Sequence, residues 1–296
     1  MENQPLISVV MNCYNGQEFL REAIESVIEQ TYSNWELIFW DNQSSDDSRK
    51  IAESFLDDRI KYYYAPSHTN LAVARNLAIE KTSGEWIGFL DTDDLWFPKK
   101  LELQVQKMNH SNLGLIYSFA EAFEGDLTRY ILPARFKNVL PEGDLLEELL
   151  KGNFITLPTA LFLKKAYEKV GPIPSDLVFA SDYFLFLNIS RYYRINAIQE
   201  VTARYRMHNN NWTKKQKVES VFEPIYIVKN LYSDLNESER KRTHKFNYNR
   251  RISERIIVLL IYGHIKQFFR GVFQISNPFF VFYYGLRYIY REIKNN

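Results

Sequence analysis

The stretch Glu85-Trp86-Ile87-Gly88-Phe89-Leu90-Asp91-Thr92-Asp93-Asp94 decides how the rest of the chain is read. It is a short apolar run, suited to a buried strand, that ends in three carboxylates within four residues. In α/β sheets the ligands sit outside the carboxyl ends of parallel strands, so an acidic cluster placed there points to a site. Acids this close repel one another, and a bound cation relieves that repulsion. A polar loop leading into an acidic helix cap has the same composition, so the neighbouring segments must decide.

Upstream, Leu6-Ile7-Ser8-Val9-Val10-Met11 is a β-rich run broken at Asn12-Cys13-Tyr14-Asn15-Gly16. Leu20, Ala23, Ile24, Val27 and Ile28 then recur at helical spacing. Trp35 to Trp40 forms a second strand ending in Asp41-Asn42-Gln43-Ser44-Ser45, and Ser45 or Asp46 is placed to cap the next helix. Ile60 to Tyr64 is a third strand, and Leu71 to Thr82 a helix carrying Arg75 and Asn76. The Trp86–Leu90 strand follows, and Pro98 opens another helix. Strand and helix thus alternate four times in about a hundred residues, which predicts a parallel sheet with crossover helices. Asn12, Tyr14, Asp41, Asn42, Asp91, Asp93 and Asp94 all fall at strand carboxyl ends, along the edge where a nucleotide would sit.

Beyond residue 112 the alternation weakens. Strands are expected over Leu113–Phe123, Thr159–Leu163 and Ile195–Tyr205. Helices are expected over Asp144–Lys151 and Lys164–Val170, with a third beginning at Ala180-Ser181-Asp182-Tyr183. No G-x-G-x-x-G follows the first strand and no G-x-x-x-x-G-K-[ST] occurs, which disfavours a dinucleotide dehydrogenase and a P-loop NTPase. A diphosphate bound here needs a carboxylate-held cation, and Mg²⁺ or Mn²⁺ suits that task.

The 296 residues are 46% hydrophobic and 25% charged, an ordinary globular balance, with 20 Tyr, 21 Phe and 5 Trp. Charge is uneven: residues 1–213 carry 21 Lys and Arg against 29 Asp and Glu, and residues 214–296 carry 16 against 7. Cys13 is the one cysteine, which suits a reducing compartment. No signal-peptide pattern precedes Pro5 and no apolar run approaches a membrane span, so a cytoplasmic setting is expected.

Several ordered motifs resemble family 2 glycosyltransferases of the GT-A fold. They are Ser8-Val9-Val10 with Tyr14-Asn15, Gln30-Thr31-Tyr32 with Glu36-Leu37-Ile38, Asp41 to Asp46, Ala74-Arg75-Asn76, and Gly84 to Asp94. The likeness runs continuously over roughly residues 5–110 and in pieces to about 213. It implies a Rossmann-like, mostly parallel nucleotide-binding sheet with an acceptor subdomain. The resulting layout is a GT-A domain over 1–213, with a nucleotide-sugar half at 1–112 and an acceptor half at 113–213. A basic, aromatic helical region follows over 214–296.

The resemblance further implies inverting transfer of a sugar from a nucleotide-diphosphate donor to a hydroxyl acceptor, a saccharide or a lipid-linked one, in bacterial surface polysaccharide synthesis. It places Asn12, Tyr14, Asp41, Asn42, Arg75, Asp91 and Asp93 on the nucleotide, and Asp93, Asp94 and His208 on a divalent metal, Mn²⁺ or Mg²⁺. Asp182, in Ser181-Asp182-Tyr183, matches the general base, and Arg206 with His208 matches an element near the diphosphate. Many members carry two acids after the second strand, whereas this chain has Asp41 followed by Asn42. An amide accepts a base N–H without charge assistance, which leaves UDP, dTDP and GDP open as donors.

Each role has a plainer counterpart. The plainer reading of Asp182 is a helix N-terminal acid stabilised by the dipole, with Asp176 the nearest competing carboxylate. Arg75 either pairs with an acid of the cluster or reaches the diphosphate. His208 is a metal or phosphate contact or a surface histidine, and Tyr14 stacks on a base or packs. The basic aromatic residues 240–296 suit a membrane surface at the inner face of the cell membrane, a helical cap on the catalytic domain, or a homo-oligomer interface. No nucleic-acid module accompanies them. The rival functions are a non-catalytic nucleotide-sugar-binding protein of the same fold and a metal-dependent nucleotidyltransferase.

Overall fold

A computed structural model of the chain describes residues 4–108, 111–131, 136, 138–208, 219–244, 246–248 and 256. Two compact units are present. The first, Met1–Leu145 with Phe154–Asn209, contains the whole sheet; the second is Leu146–Asn153 with Asn210–Asn296.

The first unit starts with β1 (Ile7–Cys13), α1 (Leu20–Ile28), β2 (Trp35–Asp41), α2 (Ser48–Glu53), β3 (Ile60–Tyr64), α3 (Leu71–Ile79) and β4 (Trp86–Phe89). β3-β2-β1-β4 is the parallel sheet expected from the alternation. All seven residues of β2 are buried, as befits a strand covered on both faces. Ile7, Val9, Met11 and Cys13 share one face of β1 and join the core with Leu20, Ala23, Ile24 and Val27 of α1.

β5 (Leu95–Trp96), α4 (Lys100–Val105), β6 (Leu113–Glu124), β7 (Leu127–Ile131), β8 (Leu161–Leu163), α6 (Lys164–Val170), α7 (Ser181–Tyr192) and β9 (Arg194–Arg206) complete this unit. They make the sheet mixed. β8 runs antiparallel between β4 and β6, β9 lies parallel to β6, and β5 and β7 add antiparallel partners. The strand expected over Thr159–Leu163 shortens to Leu161–Leu163, because Pro158 holds Leu157–Thr159 in a 3-10 turn. Gly171, at φ +84°, stops α6 where the sequence predicts. The α2 cap differs from expectation. Asp47 holds the cap position without a side-chain bond to a helix amide, while Asp46 accepts the amides of Ser48 and Gln17, tying the β1 loop to the β2 loop.

In the second unit α5 (Leu146–Leu150) is the short helix expected before Gly152. α8 (Glu219–Asp234) and α9 (Glu237–Arg242) follow, the latter opened by a capping box between Asn236 and Glu239. Most of the region 240–296 lies outside the described residues. Among those that are described, no helix is long and apolar enough to cross a membrane.

Candidate active site

The site lies along the carboxyl ends of the parallel strands. After β4 the Leu90 amide donates to Val10 O at 3.1 Å, and the Asp94 amide closes a turn on Asp91 O at 3.2 Å. The turn directs its acids differently. Asp91 Oδ1 accepts from Arg75 Nη2 at 3.2 Å. Arg75 is 3% exposed, lies over the Phe89 ring at 4.9 Å, and donates through Nη1 to Ser181 Oγ at 2.6 Å. The guanidinium fork therefore spans from the acid turn to the start of α7, a task a single ammonium performs poorly. Of the two roles open to Arg75, pairing with an acid is the one the geometry displays.

Asp93 Oδ2 lies 2.9 Å from His208 Nε2, just past the end of β9, and the His208 ring rests on Phe19. Asp94 is 1% exposed. Its Oδ1 accepts the Arg206 amide at 3.0 Å, while its Oδ2 is buried with no hydrogen-bond partner. Burial, then the charges of Asp93 and Asp91, raise the Asp94 carboxyl well above the usual range. The bond to the Arg206 amide makes Asp94 a strut between the acid turn and the end of β9. Arg206 clasps the same turn: Nε donates to Asp93 O at 2.9 Å and Nη2 to Glu22 at 2.7 Å, between the rings of Phe19 and Phe123.

At the ends of β1 and β2, Asn12 is the last but one residue of β1, with a buried Nδ2 that lacks a partner. Tyr14 is 56% exposed on the following loop, its ring 4.3 Å from that of His68. Asp41 is fully buried; it accepts the Ser44 amide and the Tyr62 hydroxyl, each at 2.7 Å. Asn42 Oδ1 accepts the Thr69 amide and hydroxyl, and Nδ2 donates to Thr69 O. Asp41 and Asn42 thus build the wall of this end with their polar atoms turned to the protein. The sequence reading passed over His68; the signal available was its place in the loop that leaves the carboxyl end of β3.

Asp182 stands in the first turn of α7, next to Ser181. Burial raises its carboxyl above the ordinary range, Arg75 pulls it down, and the Asp91 charge pushes it up again. Through its neighbour Ser181 and Arg75, the start of α7 is tied to the acid turn, although 91 residues separate Asp182 from Asp91 in sequence. Asp176 is exposed on the preceding loop. That loop is held by α3: Asn76 Nδ2 donates to Ile173 O at 2.8 Å while its Oδ1 accepts Ile173 N and Tyr167 OH, and Asn70 donates to Ser175 O.

No group of three or more His, Cys, Asp and Glu converges among the described residues as a ready cage for a metal. Mg²⁺ and Mn²⁺ need no such cage where substrate phosphates complete their shell. Asp93 and His208, facing one another with side chains 28% and 21% exposed, fit that kind of two-ligand anchor.

A mixed α/β sheet with an acid turn at the end of its fourth strand, a clasping β9 and a carboxylate on α7 is the architecture of a GT-A glycosyltransferase. Two solved structures share it at identities that speak to fold alone. Staphylococcus aureus TarS 1–349 in complex with UDP-GlcNAc aligns at TM-score 0.67 and 18% identity, over 86% of this chain and 73% of its own. The mannosyltransferase PcManGT of Pyrobaculum calidifontis, in complex with GDP-Man and Mn²⁺, aligns at TM-score 0.65 and 15% identity, over 98% and 88%. The glycosyl transferase family 2 profile matches residues 8–171, and the chain belongs to that family. Its relatives include the Escherichia coli UDP-Glc:alpha-D-GlcNAc-diphosphoundecaprenol beta-1,3-glucosyltransferase WfgD, 32% identical over 208 residues, 70% of this chain and 79% of that one. The putative teichuronic acid biosynthesis glycosyltransferase TuaG of Bacillus subtilis is 29% identical over 75% of this chain and 89% of its own. The protein is therefore a family 2 glycosyltransferase related to bacterial enzymes of cell-surface polysaccharide synthesis.

Proposed function

We propose that this chain moves a sugar, with inversion at the anomeric carbon, from a nucleoside-diphosphate donor to a hydroxyl of a saccharide or lipid-linked saccharide that becomes bacterial surface polysaccharide. The observation that carries the reading is Arg75, which holds Asp91 with one arm and Ser181, the neighbour of Asp182, with the other. Asp182 removes the acceptor proton as its oxygen attacks the anomeric carbon and the bond to the diphosphate breaks. Its raised carboxyl suits a base that works near neutral pH. Asp93 and His208 would hold a divalent cation, which would supply charge neutralisation for the diphosphate. Asn12 and Tyr14 face the nucleoside, and Arg206 and Asp94 keep the turn in place.

The donor base is uracil, thymine or guanine on this reading; the E. coli relative is named for UDP-Glc and the two solved structures for UDP-GlcNAc and GDP-Man. The basic, aromatic sequence of residues 240–296 supports contact with the cytoplasmic surface of the membrane, where a lipid-linked acceptor is within reach.

The test is incubation with UDP-, dTDP- and GDP-sugars, Mn²⁺ and lipid-linked saccharide acceptors. Release of nucleoside diphosphate with sugar incorporation, and an inverted anomeric centre by NMR, supports the assignment. Release of pyrophosphate instead indicates a nucleotidyltransferase. Nucleotide binding with no transfer to any acceptor indicates a binding protein of the same fold.

A further inference from the structure

We infer that His68 is the residue that reads the donor base, through an unprotonated Nε2 that accepts a ring N–H. This inference rests on the nucleotide-site assignment above. The residue expected to accept that proton was Asn42, but both acceptor positions of its Oδ1 are filled, by Thr69 N and Thr69 Oγ1 at 3.2 Å each. Asp41, the last residue of β2, is fully buried, with its oxygens on the Ser44 amide and the Tyr62 hydroxyl. The two side chains at the end of β2 therefore turn their acceptors to the protein.

His68 carries the group they lack. Its Nδ1 lies 2.8 Å from the Asn42 carbonyl oxygen and 3.3 Å from Asn42 Nδ2. The shorter contact is to an obligate acceptor, and it puts the proton of the neutral ring on Nδ1, since the partner an imidazole nitrogen meets sets the tautomer. Nε2 is then an acceptor, on a ring that is solvent-exposed and leans on Tyr14, itself 56% exposed. An aromatic surface beside a lone-pair nitrogen suits a base that stacks and presents an N–H at its edge. Uracil and thymine do so through N3 and guanine through N1. Cytosine and adenine have no ring N–H on that edge and meet lone pair with lone pair.

The experiment is calorimetric titration of the full chain, in Mn²⁺, with UDP, CDP and N3-methyl-UDP, and with dTDP and GDP to probe the site itself. UDP is expected to bind about tenfold or more tightly than CDP or N3-methyl-UDP, the worth of one hydrogen bond and the penalty of its loss. His68→Ala is expected to weaken UDP about tenfold and to level those three ligands, while His68→Gln, which offers an amide oxygen, recovers part of the preference. Because the methylated ligand probes the unaltered protein, the inference stands or falls even if His68→Ala does not fold. Equal binding of UDP and N3-methyl-UDP, or a preference that survives His68→Ala, overturns the role of His68 and leaves the nucleotide site intact. Failure to bind UDP, dTDP and GDP alike overturns the nucleotide site and this inference with it.

Discussion

Arg75 and Asp91 meet at 3.2 Å, one side chain 4% exposed and the other 38%. The contact joins a helix of the nucleotide half to the acid turn, and Arg75 passes the connection on to Ser181 at the head of α7. One buried guanidinium thus sets the distance between the carboxylates proposed to act at the two sides of the transferred sugar.

Replacing Arg75 separates that geometry from mere charge. Arg75→Lys keeps the charge but lacks the fork, so it is expected to lose most of the turnover, about 100-fold, because small misplacements of catalytic groups are costly. Arg75→Met is expected to be as slow and to lower stability by about 2 kcal/mol, since Ser181 and the half-open Asp91 both lose a partner. Steady-state rates and urea unfolding of the two variants measure this; a Lys variant with wild-type kcat contradicts it.

The acid turn divides its labour. Asp93→Asn is expected to abolish Mn²⁺-dependent nucleotide binding. Asp94→Asn retains an oxygen for the Arg206 amide and is expected to keep donor affinity within about threefold, as neutral changes outside the ligand contact commonly do. Calorimetry with UDP and Mn²⁺ separates them. Equal losses in both variants place Asp94 among the metal ligands after all.

The proposed acceptor base sets the acid limb expected of the rate profile. Asp182 must be ionised to take a proton, and its carboxyl sits above the ordinary range. The rate kcat is therefore expected to be full at neutral pH and to fall as pH drops through that raised pKa, earlier than an ordinary aspartate would allow. A flat profile down to pH 4 contradicts the assignment.

Away from the site, Glu36 locks β2 to the turn before β4. Burial pushes its carboxyl up, but hydrogen bonds from Lys61, Ser8 and the Ser83 amide outweigh this and leave it below the usual range. A carboxylate whose folded pKa is depressed contributes stability above its unfolded pKa and loses it as pH falls through the folded one. Glu36→Gln is expected to cost about 2 kcal/mol at pH 7, with the gap to wild type closing on acidification below about pH 4. Urea midpoints at the two pH values check the sign.

The nucleotide half was legible because its signals are local. Apolar runs of strand length, helical spacing at Leu20 to Val27, and polar residues at each strand end are all visible within a few residues. The acid cluster at the end of β4 stands out in the sequence for the same reason. Its internal arrangement does not, since Asp93 and Asp94 are chemically alike in sequence and it is the Arg206 amide, 112 residues away, that binds the Asp94 side chain. The Arg75–Ser181 contact spans 106 residues and leaves no local trace. Asn42 misled for a related reason: its polar atoms read as available, while Thr69, across the loop after β3, had already engaged them. β5 is two residues long and β7 an exposed edge strand, too short or too polar for a hydrophobic period to mark.

The most direct measurement of the central claim is a single-turnover assay of Asp182→Asn beside wild type, with radiolabelled nucleotide sugar, Mn²⁺ and lipid-linked acceptor. The account predicts that the variant binds donor as tightly as wild type, yet forms product at least about 100-fold more slowly for want of its base. Product formation at the wild-type rate by Asp182→Asn would contradict it.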